Sequence, residues 1–72
     1  MRSQNNWITY LKDKYKPNTR IKLIQMNNDP KPVEPNTLGT VQFVDDIGNI
    51  QMKWDNGSGL ALIPNVDEFE VI

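Results

Sequence analysis

The run TVQFVDDIGNIQMKWDNGSGLALIP, Thr40 to Pro64, sets two tight-turn signals between three short segments of alternating character. Asn56-Gly57 is a strong hairpin signal, because both residues accept the positive φ angles of a two-residue turn. A period of two puts successive side chains on opposite faces, which suits a half-buried strand and defeats a helix. Val41 and Phe43 alternate in the first segment, and a β-bulge is expected to shift Val44 into the core. Ile50, Met52 and Trp54 share one face of the second, so Trp54 belongs inside. The strip therefore specifies a fold before it offers a binding face.

The rest of the chain extends this pattern. TRIKLIQM predicts a first strand, with Ile21 and Leu23 on one face and Arg20 and Lys22 on the other. SGLALI predicts a fourth, PNVD a single turn and EFEVI a short fifth. The loop NNDPKPVEPN holds three prolines, which lack the amide a ladder needs, so it is expected to run extended and exposed. Upstream, SQNNWITYLKDKYKP predicts an amphipathic helix with Ser3 as N-cap. At about 100° per residue, Trp7, Ile8, Leu11 and Tyr15 fall in one arc, opposite Asn5, Thr9, Lys12, Asp13 and Lys16. Pro17 disfavours helical geometry in Lys16 and ends it. A helix of about 12 residues is marginal alone, so its Trp7–Leu11 face must dock on its own sheet or on another chain.

The expected fold is mainly β: a small five-stranded SH3-like barrel (residues 18–72) after one N-terminal amphipathic helix (residues 1–17), forming a single domain. The expected core is Ile21, Leu23, Val41, Val44, Ile50, Met52, Trp54, Leu60, Leu62 and Phe69.

Chemistry is narrowed by what is missing. The 72 residues include no histidine and no cysteine, which removes the usual neutral-pH base, the thiolate nucleophile and the commonest zinc ligands. Ser58 follows Asn56-Gly57 but has no histidine to activate it. Asp45, Asp46 and Asp55 lack the alternation and terminal glutamate of a calcium loop, and Asp45-Asp46 ahead of Gly48 reads as turn structure. GNIQMKWDNG lacks the spacing of a phosphate loop. A non-enzymatic protein without metal or cofactor is expected. No apolar run approaches the ~20 residues of a membrane span, so a cytoplasmic protein with no membrane partner is expected.

Charge is distributed unevenly. Residues 1–22 carry Arg2, Lys12, Lys14, Lys16, Arg20 and Lys22 against Asp13 alone, a net +5, while residues 23–72 carry a net −6. A basic end can meet phosphate or an acidic partner, or the two ends can neutralise each other in the fold.

The motifs GTV, VDDIGNI, WDNGSGLALIP and VDEF closely resemble the family of domain of unknown function 4314, over about Tyr15 to Phe69. The resemblance implies a short bacterial protein, often of phages and conjugative elements of Gram-positive bacteria, and it implies no activity, cofactor or catalytic residue. The GTV…WDNG pattern is also similar to Tudor-like and Mib/Herc2-type SH3-like barrels. In the family pattern, glycines commonly precede TR, precede T-x-GTV and follow LIP. Here Asn18, Asn36 and Asn65 stand instead, and asparagine is the side-chain-bearing residue that best tolerates left-handed backbone.

Two binding functions follow. The leading one is a protein-interaction module that uses the proline-bearing loop, the DNGS hairpin or an undocked helix face of Trp7, Leu11 and Tyr15. The alternative is a nucleic-acid accessory protein, in which one of the interleaved Trp7, Tyr10 and Tyr15 stacks on a base while Lys12, Lys14, Lys16, Arg20 and Lys22 meet phosphates. The fate of the helix discriminates them. Oligomeric state and ligand identity are not written in the sequence.

Overall fold

The alternating runs become strands in the order expected, but fewer of them. In the computed structural model, which describes residues 6–27 and 29–72, the elements are α1 (Asn6–Lys14), β1 (Arg20–Gln25), β2 (Leu38–Val44), β3 (Ile50–Trp54) and β4 (Glu68–Val71). The strands form one antiparallel sheet of order β3-β2-β1-β4. The five-stranded barrel is corrected to an open four-stranded sheet with one short helix. EFEVI becomes a strand as expected and pairs with β1; SGLALI does not become a strand.

The reason lies at Leu60. Ile50 and Leu62 exchange two backbone hydrogen bonds of 2.9 Å, an isolated bridge where a ladder was expected. One step along, the Leu60 carbonyl accepts the indole N–H of Trp54 at 2.9 Å, and the Leu60 amide donates to the Ser58 hydroxyl at 3.2 Å. Both groups that would have propagated the ladder are taken.

The β2–β3 hairpin behaves as read, but the Asn56-Gly57 turn does not: of its two residues Gly57 alone takes a positive φ, 93°, and no strand follows to complete a hairpin. Val41 pairs with Met52 but Phe43 with Gln51, so the register shifts by a bulge, Val44 turns inward and Phe43 is left 51 % exposed. Asp45 holds the β2–β3 turn, accepting the amides of Ile47 (3.1 Å) and Asn49 (2.8 Å) and the Gln51 carboxamide (2.9 Å). Asn18, Asn36 and Asn65 all adopt left-handed backbone, at φ 76°, 73° and 70°. They are the three side-chain-bearing residues at positive φ among those described, as expected of asparagines tolerant of left-handed backbone. Gly39 is needed for another reason: a Cβ there would stand 2.5 Å from Cε3 of Trp54.

Eight of the ten expected core residues are buried, and Leu60 and Phe69 pack half-buried against them. Leu11, Met26 and Val33 join the core. Val33 corrects the reading of the proline loop as simply exposed. Asn36 donates to the Leu23 carbonyl (2.7 Å) and Leu23 to the Thr37 carbonyl (2.9 Å), which folds the end of the loop onto β1.

Leu11 is the one buried residue of the helix. It is 1 % exposed, and burying a leucine contributes ~2 kcal/mol. Gly48, at φ 91°, lets α1 approach the β2–β3 turn; a Cβ there would lie 3.0 Å from Ile8 and 3.4 Å from Leu11. Lys12 pairs with Asp46 on that turn at 3.1 Å. The helix ends at Lys14, ahead of Pro17, although the Tyr15 amide still donates to the Leu11 carbonyl at 2.8 Å. Ser3, expected as N-cap, lies outside the described residues.

Candidate functional site: an aromatic groove beside α1

With Leu11 buried and α1 fixed over one end of the sheet, the neighbouring helix positions stand over a gap. Trp7 and Tyr10 stack on each other at 5.6 Å between ring centroids and 19° between planes, yet remain 47 % and 51 % exposed. They form one wall of a groove of about 430 Å³. Tyr15 and Phe69 lie in it, meeting edge to face at 5.6 Å, and Ile24 of β1 contributes a further apolar side chain. Another wall is formed by Pro64, Asn65 and Asp67 of the turn after Ile63, followed by Glu68.

That wall is braced from below. Asp67, buried, accepts the amide of Asn27 at 2.9 Å and the amide of Ile63 at 2.8 Å. The Asn27 carboxamide donates to the Val66 carbonyl at 2.7 Å. Together these bonds tie the VDEF turn to the chain leaving β1, so the wall is positioned by polar groups that are themselves satisfied.

Lys14 is the cation of the groove. Its Nζ sits 5.7 Å from the Tyr10 ring centroid and 5.6 Å from that of Tyr15, and donates to the Tyr10 hydroxyl at 3.3 Å. That hydrogen bond first, and the electrostatic influence of the two tyrosines next, hold its pKa above the ordinary lysine value.

The other expected contact residues are elsewhere and mostly paired. Lys12 meets Asp46, and Lys16 meets Asp13 at 3.4 Å. Arg20 grips Asp55 through two bonds of 2.9 and 2.7 Å and reaches the Thr40 hydroxyl at 2.8 Å. The Arg20 hydrogen bonds hold the Asp55 carboxyl below its ordinary value. Lys22 is half-buried in β1, opposite Leu38 on one side and Glu70 on the other. Trp7, Tyr10 and Lys14 are therefore brought together, while Lys12, Lys16, Arg20 and Lys22 are not. The basic strip is dispersed among ion pairs. Asp45, Asp46 and Asp55 likewise go to a turn and two separate cations, and the described residues contain no acidic group arranged for a metal.

Tyr15, expected on the contact face with Trp7, lies in the groove, but sequence reasoning missed Ile24, Phe69 and the Pro64–Glu68 wall as parts of a site. Phe69 read as a packing residue, and nothing local indicates that α1 and β4 meet. No helix among the described residues is long and apolar enough to cross a membrane.

No curated protein and no solved structure matches the chain. One family model matches residues 4–72, nearly the whole chain and wider than the Tyr15–Phe69 resemblance. The chain belongs to the family described as Domain of unknown function (DUF4314).

Proposed function

We propose that this chain is a non-enzymatic protein-interaction module, working in the cytoplasm of a bacterium or its mobile elements, that holds a segment of another protein in the α1–β4 groove. The observation that carries the reading is the Trp7–Tyr10 stack. Two large aromatics stay half exposed beside a helix whose neighbouring leucine is fully buried. Clustered aromatic side chains of this kind supply contact area at low entropic cost and dominate binding energetics at protein interfaces. The bridge Ile50↔Leu62 and the β4–β1 pairing support reading the sheet as an SH3-like arrangement left open.

Nucleic acid is the second reading, favoured by the same stack with Lys14 beside it. It is weakened by the pairing of Lys12, Lys16 and Arg20 with carboxylates and by Glu68 on the groove wall, which repels a phosphate backbone.

A photo-crosslinking side chain at Trp7 or Tyr10, compared with one at Lys53, exposed on β3 and outside the groove lining, tests this in cells. Protein adducts confined to the groove positions are expected. Adducts equal at both sites, or adducts removed by nuclease, would overturn the reading.

A further inference from the structure

Resting on the groove reading and deepening it, a second feature says how a segment would be held. Among the described residues β4 is a margin of the sheet, paired with β1 alone. The Ile72 amide donates to the Arg20 carbonyl at 3.1 Å, so in the alternating antiparallel pattern Glu70 and Ile72 direct their backbone groups toward β1. Phe69 and Val71 then direct theirs outward, and no backbone hydrogen bond from the described turns and loops reaches them. The Phe69 side chain lies in the groove, so the unpaired edge and the aromatic site share a residue.

The edge carries its own selectivity. Along a strand, side chains alternate between faces, which sets Glu68 and Glu70 on one face and Phe69 and Val71 on the other. A second copy pairing antiparallel about Phe69 or Glu70 would set glutamate opposite glutamate, which disfavours it. A strand carrying cations on that face is favoured for the same reason, and the net −6 of residues 23–72 adds to the attraction.

We propose that the β4 edge accepts, as an added strand, an extended segment of another protein in which lysine or arginine alternates with apolar residues. Backbone groups of Phe69 and Val71 make the ladder. The cations face Glu68 and Glu70, and the apolar side chains continue over Phe69 toward Tyr15 and the groove.

The test uses the full chain, isotope-labelled, and a capped octapeptide alternating Lys and Val. Two further peptides are N-methylated on one or the other alternate set of residues. Amide exchange at Phe69 and Val71 is expected to slow about tenfold on binding, with chemical-shift changes at Trp7 and Tyr10. One N-methylated peptide should bind about tenfold more weakly and the other within about twofold of the parent, since only one set of amides faces the edge. The double variant E68K/E70K, checked for retained fold by circular dichroism, should weaken binding about tenfold.

Equal effects of the two N-methylated peptides, or shifts at Trp7 and Tyr10 with unchanged exchange at Phe69 and Val71, would overturn strand addition and leave the groove reading standing. Protection in the free protein that rises with its concentration would assign the edge to a second copy and overturn the stated occupant. Absence of peptide binding overturns strand addition, and the groove reading is then decided by crosslinking.

Discussion

The indole N–H of Trp54 donates to the backbone carbonyl of Leu60 at 2.9 Å, and this bond stands where a fourth strand would have run. Trp54 is fully buried, so its N–H must find a partner inside the fold, and the nearest strand-forming carbonyl supplies it. Trp54→Phe keeps most of the ring and removes the donor. It is expected to cost about 1–3 kcal/mol by urea unfolding, because the Leu60 carbonyl loses its partner.

The helix divides into a docking residue and a display residue. Leu11→Ala is expected to cost about 3 kcal/mol, as a fully buried leucine whose loss leaves a cavity. Trp7→Ala should cost less than about 1 kcal/mol, since the ring is half exposed. Equal losses for the two in thermal or urea unfolding would mean that Trp7 belongs to the core and not to a site.

Asn18, Asn36 and Asn65 test the left-handed positions. Replacement of each by Ala is expected to cost about 1 kcal/mol, because Cβ then crowds the backbone without the local tolerance of asparagine. Replacement by Gly should leave stability within about 0.5 kcal/mol, its freer backbone in the unfolded chain offsetting the relief of strain. Denaturation midpoints of the six variants decide it.

Partial burial by itself would raise the pKa of Asp45, but the Asn49 amide, the Gln51 carboxamide and the Ile47 and Gly48 amides outweigh it and lower the value. A carboxyl held below its unfolded value contributes stability that is present above the ordinary aspartate range and is lost as pH falls through the lowered value. Asp55, lowered by Arg20, acts with the same sign in the same acid window. Asp45→Asn is therefore expected to reduce stability at neutral pH by about 1 kcal/mol and to flatten its fall on acidification. A variant that keeps the full acid slope would place the linkage elsewhere.

Local sequence determined the turns, the bulge that buries Val44, the left-handed asparagines and most of the core. Each is set by residues a few positions apart: period-two alternation, positive-φ tolerance at Asn and Gly, and carboxylate-to-amide bonds within one turn. Only tertiary structure decided which strand would be lost, because the Trp54 indole competes with the ladder for a single carbonyl. It also dispersed the basic strip. Lys12 and Arg20 found Asp46 and Asp55 more than thirty residues along the chain, a pairing that no local spacing announces. The groove arose in the same way. Trp7 and Tyr10 line one groove with Phe69 and the Asp67 turn only because Leu11 seats α1 on the sheet while β4 returns to β1, bringing α1 and β4 together.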